Sequence, residues 1–350
     1  MIPLLKPYMP PVPELNTILM SGHLAYGAAS RQFEELLREW FGTPYLMAVN
    51  TFSNGICVAL SALGLRPGDE VIASPMGCLA SAQPLLTYGL KVRWADVDPG
   101  TGTLSPESVR RQITHKTRCI FHNHFCGYPG DVDAVNSLGR EFGIAVIDDG
   151  IECFGSEVHG TKIGVTGADA AVFSLGPVRI PNTIDGGVVI FREQKAYEAA
   201  LLLRDCGIDR TRFRDAQGEI DPGCDISMPG YSALMSDVNG AIGVEQMKHV
   251  DGLLEKQRTQ AVRWRERLAG QTGLKLLSRP GTNPNYWVFG LLADHKAAAM
   301  QSFREAGYYA SGVHVDLSRY SVFGPCAELP GAAEFARRFL ALPCGWWMES

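Results

Sequence analysis

Apolar and polar positions alternate along this chain in two rhythms. At Ser30–Phe41, Phe33, Leu36, Leu37, Trp40 and Phe41 recur at helical spacing and form one stripe, which predicts an amphipathic helix. Short apolar runs then interleave with helical stretches. Strands are expected at Tyr45–Val49, Glu70–Ala73, Lys91–Ala95, Arg118–His122, Ile144–Ile147, Ala170–Phe173 and Val188–Phe191. Helices are expected at Asn54–Leu63, Leu79–Tyr88 and Val132–Phe142, and after Ser105-Pro106, where a capping residue precedes proline at the first helical position. This alternation implies an α/β fold with a mostly parallel sheet and helices on both faces.

A long helical pattern follows at Met235–Ala269. Beyond the Arg279-Pro280-Gly281 break, strand Tyr286–Leu292 and helix Lys296–Ala306 predict a smaller C-terminal α/β domain. The chain therefore divides into a large part, residues 1–240, and a long connecting helix with the small domain, residues 241–350. Five prolines among the first thirteen residues exclude a regular helix there, so this segment is read as an ordered arm or an edge segment.

Charge narrows the classes of partner. Lys plus Arg is 32 against 37 Asp plus Glu, a net charge of −5. That balance argues against non-specific nucleic-acid or anionic-membrane binding, both of which need a basic surface. No apolar run approaches the roughly 20 residues that span a bilayer, and the N-terminus does not read as a signal peptide. Nine scattered cysteines form no CxxC pair and read as reduced thiols in a cytoplasmic protein.

In open α/β sheets, ligands bind beyond the carboxyl ends of the strands. Four such ends carry candidate chemistry. Asn50-Thr51-Phe52-Ser53-Asn54-Gly55 leads into a helix, where free N–H groups and hydroxyls suit a phosphate, or where Thr51 or Ser53 is simply a cap. His122 and His124 have strand spacing, so both rings point to one face; with no further Cys or His cluster, no metal site is expected. Asp148-Asp149 ends an apolar strand, where a buried carboxylate needs a cationic partner, although strand-end Asp residues also serve as ordinary turn formers. The loop Ser174–Gly187 carries one cation, Arg179, suited to an anion or to solvent.

In order and spacing, these segments resemble the DegT/DnrJ/StrS sugar aminotransferase family. The resemblance rests on Leu63-Gly64-Leu65-Arg66-Pro67-Gly68-Asp69-Glu70-Val71-Ile72, on Trp94-Ala95-Asp96-Val97-Asp98-Pro99, and on His124 with Gly127-Tyr128-Pro129. Phe173-Ser174, Asp185-Gly186-Gly187 and Met235–Gly243 extend it over nearly the whole chain, and Ser74-Pro75-Met76 with Cys78 resembles one branch of the family. The resemblance implies a fold-type-I aminotransferase-like protein, a homodimer with shared active sites, and a small-molecule substrate, a nucleotide-linked keto sugar being the family expectation. It also implies pyridoxal or pyridoxamine phosphate as cofactor. Asp149 matches the carboxylate that pairs with the cofactor's ring nitrogen, and Ser53, Asn54 and Ser174 match its phosphate contacts.

The departures are as informative. Arg179 stands where the family has its Schiff-base lysine, and a guanidinium is effectively always protonated. Glu152 replaces Gln or His beside the phenolic oxygen, and Phe52 replaces a small residue of the phosphate turn. Ser232 replaces an Asn that a partner subunit lends, and Leu79 replaces an aromatic that stacks on the ring. Leu342-Pro343-Cys344-Gly345-Trp346-Trp347 matches the strand before the family's last helix, so the small domain is expected to lack that cover. Three readings follow. The first is an enzyme binding the cofactor non-covalently, with Glu152 or His124 moving protons. The second is a cofactor-free enzyme in which Arg179 and Ser174 hold a substrate carboxylate or phosphate. The third is a non-catalytic binding partner. His314 and Arg319 are further polar residues near the expected cleft, or else surface residues.

Overall fold

The computed structural model describes residues 1–348. Seven strands form the large sheet: β1 Leu46–Val49, β2 Glu70–Ala73, β3 Lys91–Trp94, β4 Thr117–Asn123, β5 Ala145–Asp149, β6 Ala170–Ser174 and β7 Gly187–Phe191. Their spatial order is β1-β7-β6-β5-β4-β2-β3. Only β7 runs against its neighbours, pairing antiparallel with both β1 and β6. Apart from the edge strand β3, the strands are almost wholly buried, as a sheet covered on both faces requires. Strand and helix positions expected from the apolar rhythm agree with these elements to within a residue or two.

Register brings the chemistry together. His122 pairs with Asp148 and Asn123 with Asp149 across β4 and β5, while Asp149 faces Val172 of β6. The carboxyl ends of three central strands therefore lie side by side.

The Ala28–Phe41 helix buries Phe33, Leu37 and Phe41 and ends at Gly42, whose left-handed backbone donates its N–H to Arg38. It lies close against the Asp237–Met247 helix. A Cβ at Gly240 would stand 2.5 Å from the Ser30 backbone, and one at Gly243 would stand 2.6 Å from the Phe33 ring. Glycine is required at both positions.

The long helical pattern is two helices, Asp237–Met247 and Val250–Leu268, rather than one. The His249 N–H bonds Gln246 O at 2.9 Å, a tighter i to i−3 closure that ends the first helix without glycine or proline. The small antiparallel sheet comprises β8 Leu274–Leu276, β9 Phe289–Ala293 and β10 Phe339–Leu342, in the order β8-β9-β10. Its core includes Trp264, Leu291, Phe335 and Phe339. β9 starts three residues later than expected. Tyr286 turns the chain at φ +53, and the Asn285 side chain bonds the carbonyls of Glu152 and Phe154.

The proline-rich arm runs over the small sheet. Ile2 bridges to Tyr308, and Trp347 Nε1 donates to Pro3 O at 2.9 Å. A short helix at Leu15–Met20 follows, which no apolar stripe had signalled. Trp346–Met348 form a single 3-10 turn, and the last two positions of the expected uncovered terminus lie outside the described residues. Among the described residues, no helix is long and apolar enough to cross a membrane.

Candidate active site

Asp149 ends β5 and is buried, with a hydrogen bond from the Ile151 N–H at 3.2 Å. Burial pushes its carboxyl up to about 6, against the Ser81 hydroxyl and the Ile151 N–H, which favour the charge. Three residues on, Glu152 is also buried, and both of its oxygens are engaged. One accepts from the Cys126 N–H at 3.0 Å, and the other meets His314 Nε2 at 2.9 Å. The same oxygen lies 3.7 Å from Arg179 Nη2. Burial alone would raise this carboxyl, but His314, Arg179 and the Cys126 N–H together hold it below its ordinary value.

Arg179 leaves the loop after β6 and lies over the face of Trp287, 4.5 Å from the ring centroid. Its Nε and Nη1 are buried without a hydrogen-bond partner. Trp287 is fixed in turn by donating Nε1–H to Val178 O at 2.9 Å. The His314 ring lies 8° from parallel with Trp287, 6.5 Å between centroids. Cys78, at the cap of the Leu79–Thr87 helix, shares this neighbourhood. Burial, then Glu152, pushes its thiol up.

At the end of β1, Thr51 caps the Phe52–Ala62 helix by accepting from the Asn54 N–H at 3.0 Å. The N–H groups of Phe52 and Ser53 lie in the first turn, where a helix has no internal acceptors for them. Ser53 is exposed, and Asn54 donates to Asn50, which donates to the Ser232 carbonyl of the same chain at 2.9 Å. Ser174 accepts from the Gly176 N–H at the end of β6.

Two expected roles are corrected. The Phe52 side chain does not occupy the phosphate turn; it is 6% exposed and packs in the core beneath the helix, leaving only its backbone at the site. His124 is not a proton-moving group of the cleft. It is fully buried, accepts the Gly130 N–H at Nδ1 (3.0 Å) and places Nε2 3.2 Å from Asp148. His122 and His124 do share one face, with ring centroids 4.7 Å apart, and Asp148 sits between them as a third group that sequence spacing had not supplied. The Gly130 N–H leaves the His124 proton on the nitrogen facing Asp148, which suits a held carboxylate better than a metal ligand. Cys126, Glu152 and His314 also converge, but the Arg179 charge beside them opposes a cation.

His314 joins the cluster and Arg319 stays exposed. Trp287, Cys126 and Ser81 were missed. Ser81 lies on the Leu79–Thr87 helix and Cys126 in the tight turn after β4, while Trp287 comes from the distant small domain; of this neighbourhood only Cys78 carried a motif.

The seven-stranded, mostly parallel sheet, with a buried acid at the end of a central strand beside an open helix N-terminus, fits the fold-type-I, aminotransferase-like class. The chain belongs to the DegT/DnrJ/EryC1/StrS aminotransferase family, whose model matches residues 11–350. It is similar to the sugar aminotransferase CalS13 from Micromonospora echinospora, at 30% identity over 99% of this chain and 95% of that one, with a TM-score of 0.91. AtS13 from Actinomadura melliaura is 31% identical over 99% and 94% of the two chains, with a TM-score of 0.91. A putative sugar aminotransferase from Streptococcus pneumoniae, solved in its PMP form, shares the fold at 21% identity over 99% and 94%, with a TM-score of 0.87.

Proposed function

We propose that this protein is a biosynthetic enzyme that binds pyridoxal or pyridoxamine phosphate without a covalent bond and acts on a sugar, nucleotide-linked or free, or on a related small molecule. The observation that carries this reading is Asp149. A carboxyl buried at the end of β5 and pushed up to about 6 calls for a cationic donor, and a protonated pyridine nitrogen supplies one. The open first turn at Phe52 and Ser53, with Ser53, Asn54 and Ser174, suits the phosphate, since the Phe52 ring is turned into the core. Ser232 of the partner subunit would complete this corner in a homodimer, a state that light scattering tests. Residues 1–240 would hold the cofactor, and residues 241–350 would bring Trp287 and His314 over it.

When bound, the group supplies an electron sink to the substrate carbon next to nitrogen. The chain's own residues do the rest. Arg179, at the family's lysine position, cannot lose its proton to form a Schiff base, so it binds and orients. Glu152 holds Arg179 and His314 in place, and Trp287 screens them from water.

One observation favours a cofactor-free reading. The unpartnered Arg179 Nε and Nη1 suit a substrate carboxylate or phosphate. Absorbance of the purified, dialysed protein with each cofactor form separates the two. A retained band that borohydride does not fix to the chain supports the main reading. Failure of both forms to bind removes it.

A further inference from the structure

We infer that His314 is the proton-transferring residue of this site, with Nδ1 as the acting atom and Glu152 as its positioning partner. The geometry of the pair stands by itself; the chemistry it serves rests on the reading just proposed.

The protonation pattern comes first. An ionised carboxylate only accepts, so the 2.9 Å contact with Glu152 Oε1 places the imidazole proton on Nε2 and the free lone pair on Nδ1. Nδ1 has no partner among the described residues, and His314 is more exposed than the two charged side chains beside it. Its side chain is 14% exposed, against 11% for Arg179 and 2% for Glu152.

The ring is also held. Trp287 lies nearly parallel to it at 6.5 Å between centroids, and Phe125 meets it edge-on at 5.9 Å. The backbone is strained to achieve this. Among the described residues, six other than glycine have positive φ, and three of them serve this cluster. Cys126 at +53 presents its N–H to Glu152, Tyr286 at +53 precedes Trp287, and Val313 at +59 precedes His314. A β-branched residue in that region is a true outlier, and such strain concentrates where a side chain must be aimed.

The competing bases are each ruled out. Arg179 does not deprotonate, His124 is locked between Gly130 and Asp148, and burial pushes the Cys126 and Cys78 thiols up. Both Glu152 oxygens are taken. The charged and titratable groups facing His314 are thus Glu152, Arg179 and Cys126, with Cys78 and Asp149 beyond. In the step itself, the Nδ1 lone pair takes a proton from the substrate carbon, the bonding pair stays on that carbon, and the imidazolium charge is held against Glu152. Return of the same proton reverses it.

Two readouts on the full chain test this. Diethyl pyrocarbonate acylates neutral imidazole, and peptide mass identifies which of the eight histidines reacts. His314 is expected to react, to be protected by pyridoxamine phosphate, and to slow several-fold in Glu152→Gln, while His122 and His124 stay unreactive. An unreactive His314, or one indifferent to Glu152→Gln, overturns the proposal. The second readout is the spectral conversion of bound pyridoxal phosphate by L-glutamate, measured with His314 or His314→Gln in both the Arg179 and Arg179→Lys backgrounds. The loss should be about 100-fold or more with arginine, as for a positioned general base, and far smaller where a lysine amine is available. Equal losses in both backgrounds make His314 merely structural and overturn the proposal. If neither cofactor form binds, absorbance alone removes the cofactor reading, and acylation still tests whether His314 is an accessible neutral imidazole held by Glu152; an unreactive His314 overturns the proposal there too.

Discussion

Arg179 Nη2 lies 3.7 Å from the Glu152 oxygen that His314 Nε2 meets at 2.9 Å, so one buried carboxylate serves both side chains. Truncating it strands a buried guanidinium whose other nitrogens have no partner. Glu152→Ala should therefore cost about 3–5 kcal/mol, as for a broken buried pair, and Glu152→Gln less. The folded-state carboxyl is held below its ordinary value, so its stabilisation is present above pH 4.5 and lost as pH falls through the folded pKa. Urea midpoints of wild type and Glu152→Gln should separate near neutrality and converge in acid. Parallel curves would show that the carboxylate charge contributes nothing.

Asp149 has the opposite sign. Its folded pKa is raised from 3.8 to about 6 by burial, so the native state binds the proton more tightly than the unfolded chain does. Stability then falls as pH rises from about 4 to about 6. Asp149→Asn removes that loss. The cofactor-free variant should be more stable than wild type at pH 8, by roughly 3 kcal/mol at most, and equal to it near pH 4. The same variant should bind pyridoxamine phosphate poorly, because a neutral amide does not hold a pyridinium proton. A variant that binds normally would remove Asp149 from the site.

Much of the fold was legible because period and punctuation report burial directly. β2 and the Val132–Phe142 helix fall at the expected bounds; the Asp148-Asp149 pair drew notice because strand ends are where such sheets carry ligands, and only the family resemblance singled out Asp149. Register was not legible. That Asp148 would sit between His122 and His124 depends on β4 pairing with β5 residue by residue, which no local pattern encodes. The other half of the cluster depends on tertiary turns. Val313 and Tyr286 take positive φ without being glycine or asparagine, so nothing in their identity marks the turns that deliver His314 and Trp287. The break at His249 was hidden for a similar reason, since neither glycine nor proline makes it.

Phe52 separates packing from binding. Its ring is buried in the core, while its backbone opens the helix that faces the proposed phosphate corner. Phe52→Ala should destabilise the protein by about 3–5 kcal/mol through the cavity it leaves. Calorimetric affinity for pyridoxamine phosphate, measured well below the melting transition, should change only a few-fold. A large loss of affinity at unchanged stability would place the ring in the binding turn after all.

Arg179 offers the most direct chemical test of the proposed descent from a lysine-dependent site. Lysine reaches a similar distance but carries an amine that burial can deprotonate, which guanidinium does not permit. The surroundings favour the exchange, because Glu152 lies within ion-pair range and the Trp287 face accepts either cation. Arg179→Lys, incubated with pyridoxal phosphate and reduced with borohydride, should yield one phosphopyridoxyl group per chain, located by peptide mass on residue 179. Wild type treated identically should yield none at that position. If the lysine variant folds and binds the cofactor yet gives no adduct, residue 179 does not face the reacting carbon, and the loop after β6 must be read as an anion clamp instead.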